Sequence, residues 1–376
     1  MSRKTVRNRV TDLKGNKMTR MIDRRTILAG AAAGAALPLA ARDAHAQAPM
    51  NVGFVYVGPI GDHGYTYTHD QGRLALQKAL GDKIKTNFVE NVAEGPDSER
   101  VIRQLAQAGN KLIFATSFGF MQPTAKVAKQ FPNTYFEHAT GYMRDKNLAT
   151  YNARFYEGRA VIGTIAGLMS KSGKAGYVAS FPIPEVVMGI NAFTLAARKI
   201  NPNFETKVIW ASTWYDPAKE ADAAKALIDQ GCDMITQHTD SAAPLQAAEQ
   251  RGVFAFGQAS DMKNFAPKAH LTAIVDDWSQ YYIDRTKLAL DGKWVTGDVW
   301  GGLKEGMVKL APYNDAMTPQ ARAAADKIQA DIISGAVHPI TGPVKDNKGA
   351  ERLKAGEKAT DEALNKMDWY VEGVQA

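Results

Sequence analysis

Aromatic rings and carboxylates are concentrated just after short apolar runs in this chain, where Lys and Arg are scarce. The first run is followed by Gly58-Pro59-Ile60-Gly61-Asp62-His63-Gly64-Tyr65, and a later one by Ser117-Phe118-Gly119-Phe120. In the second half, Ser212-Thr213-Trp214-Tyr215-Asp216-Pro217, His238-Thr239-Asp240-Ser241 and Gly257-Gln258-Ala259-Ser260-Asp261 stand in the same relation to their runs. Aromatic faces stack on planar rings, each adding about 1 kcal/mol beyond the area buried. An ionised aspartate only accepts hydrogen bonds, so Asp62, Asp240 and Asp261 suit a ligand that presents N–H donors. Each also has an everyday role: Asp caps helices, and Phe118 or Phe120 fills a core. Asn191, early in a helical stretch, offers an amide for a heterocycle edge, and Met188 one turn before it offers an apolar face.

Three other chemistries have partial motifs. Ala115-Thr116-Ser117-Phe118-Gly119 approaches the G-x-S-x-G nucleophile elbow but lacks its first Gly; Asp240 and His270 would complete a serine-hydrolase triad in order. His63 and His69 with Asp62 and Asp70 offer N and O ligands to a metal, but His-x5-His is not a standard zinc spacing. Gly58, Gly61 and Gly64 are not G-x-G-x-x-G, and Gly167–Lys174 is not a P-loop, so phosphate cradling is not expected. The reading is therefore a binding protein with no catalytic, metal or cofactor site.

The elements that must position these residues alternate. Apolar runs at Asn51–Val57, Lys85–Val89, Lys111–Thr116 and Thr134–His138 read as strands. Helical patterns cover Gly72–Leu80, Asp97–Ala108, capped by Asp or Ser, and Pro123–Gln130. After a small-residue helix at Phe155–Ser170 the series restarts. Strands at Ala175–Ser180, Lys207–Ala211, Asp233–Gln237, Val253–Phe256 and Leu271–Val275 alternate with helices at Met188–Ile200, Pro217–Gln230 and Ala243–Arg251. Helices at Asp277–Leu290 and at Thr318–Ser334, the latter capped by Thr318-Pro319, complete it. Repeated βαβ units imply α/β architecture with two parallel, helix-covered sheets. Ligands in such folds bind beyond the strands' carboxyl ends, where the loops above lie. The single Cys232 opens a strand and reads as a small buried hydrophobe.

The residues Gly61-Asp62-x-x-Tyr65, Phe118-Gly119-Phe120, Trp214-x-Asp216-Pro217-x-Lys219-Glu220 and Ser260-Asp261 occur in an order that resembles the basic membrane protein group of bacterial solute-binding proteins, purine-binding relatives of type I periplasmic receptors. The resemblance spans roughly residues 50–340. It implies two Rossmann-like lobes joined by three crossovers, near residues 152–158, 275–280 and 300, and a partnership with an ABC permease and its ATPase. It places an aromatic clamp at Tyr65 and Trp214 and a ligand contact at Asp261. Nucleoside-binding members carry a lysine a few residues into the last of these strands, where this chain has Asp276; that departure points to a free purine base such as adenine, with a nucleoside as the alternative. The expected organisation is 47–155 plus about 276–300 as lobe 1, 156–275 plus about 301–344 as lobe 2, and a tail at 345–376 that is weakly periodic and hard to place.

Residues 1–46 read as an export leader. Asp23-Arg24-Arg25-Thr26-Ile27-Leu28 is a twin-arginine run, an Ala/Gly-rich stretch follows to Ala41, and Ala44-His45-Ala46 is a small-x-small cleavage site. The apolar stretch is too short for a convincing membrane span. No cysteine follows the cleavage point, so the expected product is a soluble periplasmic monomer with no lipid anchor. The leader also explains the formal net charge of +7. It holds ten of the 46 basic and three of the 39 acidic residues, leaving 36 of each beyond it. A near-neutral chain lacks the electrostatic footprint of a nucleic-acid binder.

Overall fold

The computed structural model describes residues 48–376; the twin-arginine run and its cleavage site lie outside them. Strands and helices alternate as β1 (Met50–Val55), α1 (Gly64–Leu80), β2 (Ile84–Val89), α2 (Pro96–Gln107), β3 (Leu112–Ala115), α3 (Met121–Ala128), β4 (Tyr135–Ala139) and β5 (Leu148–Ala153). The strands pair in parallel in the order β2-β1-β3-β4-β5. The chain then crosses to a second sheet through α4 (Phe155–Met169), β6 (Lys174–Ala179), α5 (Pro184–Ile200), β7 (Glu205–Trp210), α6 (Pro217–Asp229), β8 (Met234–His238), α7 (Ala243–Gln250), β9 (Phe254–Gly257) and β10 (His270–Asp276). Here the order is β10-β9-β8-β6-β7, again parallel. After β10 the chain returns to the first sheet, packing α8 (Ser279–Leu290) on α1 and adding β11 (Asp298–Gly301) beside β5. A third crossing delivers β12 (Val308–Leu310), antiparallel to β10, and α9 (Pro319–Ile333), which lies on α4.

The central strands read as unbroken apolar runs because helices cover both faces. Alternate residues feed different cores: Val52, Phe54, Leu112 and Phe114 join one, and Val55, Ile113 and Ala115 the other. In the second lobe α4 and α5 approach closely because α4 presents glycines. A Cβ on Gly163 would lie 2.3 Å from the Phe193 carbonyl oxygen, and one on Gly167 2.8 Å from that of Ala197. Among the described residues no helix is long and apolar enough to cross a membrane. Cys232 is buried, and burial pushes its thiol up to about 11, as fits a packing residue.

Several elements differ from their sequence pattern. α1 begins at Gly64, eight residues before the apolar periodicity starts, so Tyr65–Asp70 are helical rather than loop. Its first turns are polar yet buried, which periodicity cannot register. α2 begins at Pro96 after Gly95 at φ 92°, with no side-chain cap from Asp97 or Ser98. α9 does start from Thr318, whose side chain accepts from Ala321 N. β5, Leu148–Ala153, follows a tight turn at Asp145–Asn147, but its mixed polar and small residues lack an apolar run, so its pattern does not show it. The C-terminal residues, hard to place by sequence, attach to the second lobe. β13 (Val344–Lys345) and β14 (Glu351–Leu353) form a small hairpin, α10 (Asp361–Leu364) follows, and β15 (Val374–Gln375) extends the second sheet beside β7.

Candidate functional site

The carboxyl ends of both sheets meet at one small cavity. The first lobe contributes Val57 and Tyr65 after β1, Ser117 and Phe118 after β3, and Thr140 after β4. The second contributes Glu185 after β6, Trp214 after β7, His238 and Asp240 at the end of β8, and Gln258 after β9. Among the described residues four non-glycines adopt left-handed backbone: Asn91, Thr140, Ser212 and Ala259, each one or two residues past a strand end. Such conformations cost about 1–3 kcal/mol each and persist where surrounding structure imposes them, often at binding sites.

The lobes touch around this cavity. Gly64 N donates to Ser260 Oγ (2.7 Å), Ala242 N to His63 Nε2 (3.2 Å), Trp214 Nε1 to Glu94 Oε1 (3.2 Å) and Asn152 Nδ2 to Glu185 Oε2 (3.0 Å). At Gly64, φ +85°, a Cβ would lie 2.6 Å from the Asp240 carbonyl oxygen, so only glycine permits this approach. The cleft is closed.

Of the cavity's lining residues, Tyr65 and His238 carry buried polar atoms without partners, and Asp276, Gln237 and Thr239, at the same end of the second sheet, carry more. Both carboxylate oxygens of Asp276, Gln237 Oε1, His238 Nδ1, Thr239 Oγ1 and the Tyr65 hydroxyl make no hydrogen bond. Buried polar groups are normally satisfied, so such a cluster marks a place for a partner. Asp276 ends β10, is 3% exposed, and is held well above the ordinary carboxylate range by burial and the nearby charge of Glu185. Burial, with Glu220 adding to it, pushes Asp240 the same way. The nearby cation does not answer Asp276: Arg159, fully buried in α4, donates to Thr236 Oγ1 (3.1 Å), the Gln237 carbonyl (2.7 Å) and Gln258 Oε1. Carboxyl and amide oxygens therefore stand unanswered here, beside hydroxyls that can donate or accept.

Of the nine residues singled out from sequence, Tyr65, Phe118, Trp214 and Asp240 line this cavity. Met188 lines an adjoining groove. The other four lie elsewhere. Asp62 faces solvent and pairs with His63 (2.7 Å). Phe120 is fully buried in the first lobe's core. Asn191 is consumed by the C-terminal segment, donating to Met367 Sδ (3.1 Å) and the Trp369 carbonyl (2.8 Å) and accepting from Val371 N (3.0 Å). Asp261 is on the surface, where it accepts from Lys263 N (3.0 Å). Short polar side chains after strands have many local partners, and sequence cannot rank them. Sequence reading missed Glu185, whose place in the first turn of α5 resembles an ordinary helix-dipole complement. His238 and Gln258 were in view, since both end apolar runs.

The rival motifs come apart. Ser117 Oγ donates to Glu94 (2.6 Å), and His270 has no hydrogen-bonding partner on either ring nitrogen, so Ser117, Asp240 and His270 do not assemble. His69 stacks on Trp278 (4.5 Å) and bonds the Tyr282 hydroxyl, while Asp70 pairs with Arg73 (2.6 Å), leaving His63 with Asp62. No cluster of three or more metal-ligating side chains occurs among the described residues.

Comparisons with known proteins agree with this geometry. A family model described as ABC transporter substrate-binding protein, PnrA-like, matches residues 50–338. A purine-binding protein of Brucella abortus is 59% identical over 331 residues, 88% of this chain and 94% of that protein. A protein of Haloferax volcanii, provisionally named an ABC transporter glucose-binding protein, is 36% identical over 87% of this chain and 80% of its own length. An ABC transporter solute-binding protein from Aeropyrum pernix superposes with a TM-score of 0.66 at 18% identity, covering 85% of this chain and 98% of that one. At that identity the last likeness speaks for the fold alone.

Proposed function

The chain belongs to the PnrA-like family of ABC transporter substrate-binding proteins, and on that premise we propose that it captures a purine between its two lobes by hinge closure, a free base such as adenine rather than its nucleoside. The observation that carries this reading is the group of buried, unpartnered carboxyl and amide oxygens near a cavity lined by aromatic side chains from both lobes. Adenine presents an exocyclic amine and a ring N–H, donors that the carboxyl oxygens of Asp276 and Gln237 Oε1 can accept. Tyr65 and Phe118 from one lobe and Trp214 from the other supply faces for the ring. The purine-binding relative at 59% identity supports the ligand class. Asp276, where nucleoside-binding members carry lysine, supports the base.

In the open state one lobe holds the ring; closure brings up the other lobe and dries both faces. The three crossovers, at 153–155, 276–279 and 301–308, are the hinges. The closed form is the one an ABC permease, with its ATPase, recognises in the periplasm. The protein delivers its ligand unaltered and acts as a monomer.

The test is thermal unfolding of the chain from Gln47, stripped of carried-over ligand by unfolding and refolding, against purine bases, nucleosides, glucose and amino acids. Binding to the native state adds about 2.7 kcal/mol at a hundredfold excess over Kd. A midpoint shift with adenine but not adenosine is expected. A shift with nucleosides alone would sink the free-base reading; a shift with glucose alone would replace purine by sugar.

A further inference from the structure

Beside the closed cavity runs a larger groove of about 620 Å³, open to solvent. The two are continuous: Phe118, Thr140 and Glu185 line both. We propose that this groove is a second subsite, which takes an apolar substituent carried by the same purine. The inference rests on the purine reading above and extends it from the ring to what is attached to it.

Its walls are the argument. Phe118, Pro184, Met188 and Tyr142 present apolar surface, and Tyr142 is 60% exposed, unusually bare for an aromatic side chain beside a binding cleft. The charged groups present are Glu185 at the junction with the cavity and the exposed Glu362 and Lys366 at the rim, which already pair with each other (2.7 Å). No cation faces the groove's interior, so a phosphate has no partner there, whereas a flat or branched hydrocarbon gains by covering Phe118, Pro184 and Tyr142.

The rim is made by α10 and its C-cap, residues that lie beyond the stretch matched by the family model. That segment is fixed. Arg154, at the first crossover, holds Asp361 through two bonds of 2.7 Å, and Asn191 holds Trp369 and Val371. The second subsite is therefore a built feature, its outer lip supplied by the C-terminal segment.

The experiment is isothermal titration of the exported chain with adenine, N6-benzyladenine, 9-benzyladenine and adenosine; which ring edge faces the groove decides which benzyl isomer fits. One benzyl isomer is expected to bind within tenfold of adenine or more tightly, and above adenosine. Asn365→Trp, at an exposed position on the rim, should weaken that isomer at least tenfold and leave adenine unchanged; Tyr142→Asp should do the same from the opposite wall. If adenine binds while both benzyl isomers bind more than a hundredfold weaker, the subsite is overturned and the purine reading stands. A preference for adenosine over both isomers overturns its apolar character. If no purine binds, the proposal falls together with the reading it extends.

Discussion

Two buried carboxylates show how differently this fold treats the same chemical group. Glu137, in β4, is fully buried and fully answered: the Tyr281 hydroxyl and Trp294 Nε1 each donate at 2.6 Å, and Arg285 completes an ion pair. Asp276, at the end of β10, is as deeply buried and has no partner at all. Burial raises both carboxyls, but at Glu137 the Arg285 charge and the three hydrogen bonds oppose it, while at Asp276 the charge of Glu185 adds to it. The first is a structural rivet joining the sheet of one lobe to α8. The second stands unanswered near the lobe interface, and the comparison teaches that burial alone does not separate the two; the presence or absence of a partner does.

Substitutions can break or sharpen that contrast. The largest effect is expected from Glu137→Ala, which strands a mostly buried Arg285 and should cost about 3–5 kcal/mol of stability, with ligand affinity in the surviving folded fraction unchanged. Chemical denaturation beside titration of the ligand separates the two; a change confined to affinity would erase the distinction. Asp276→Asn should do the reverse. It removes a charge-assisted bond worth about 1.5–3 kcal/mol, so affinity for a purine should drop tenfold to a hundredfold while stability holds or rises.

Closure offers a test of intermediate size. Gly64→Ala places a methyl against the Asp240 carbonyl and forces a positive φ on alanine, at a cost of about 1–2 kcal/mol. Ligand affinity should fall with little loss from the lobes individually, and scattering should find the ligand-free molecule more open. Trp214→Ala should weaken binding by about 1 kcal/mol, roughly fivefold, if its ring stacks on the ligand.

The smallest effect is a pH slope. In the ligand-free protein Asp276 keeps its proton above the ordinary carboxylate range, so from about pH 4 upward the folded chain binds more protons than the unfolded one. Stability should therefore decline as pH rises through the raised value. Asp276→Asn should reduce that decline, leaving the parts due to Asp240, Glu137 and Glu157, whose carboxyls are raised likewise. An unchanged slope in unfolding curves taken from pH 4 to 8 would show Asp276 to be ionised in the folded state.

Sequence determined the alternation of elements, because strands covered on both faces must be apolar throughout and helices must show a stripe; the runs Asn51–Val57 and Lys111–Thr116 and the capped start at Thr318 were legible for that reason. It also set the donors and acceptors that follow each strand, and so the class of site. Tertiary structure decided which of them meet. Asp240 and Asp261 look alike after their strands, yet one lines the cavity and the other turns to solvent. Asn191 looked free and is spent on a segment 176–180 residues away, while Glu185 looked like a helix-end charge and faces the cleft. Local pattern records which face of an element is apolar; whether a polar group finds its partner depends on elements distant in the chain, and only their packing settles it.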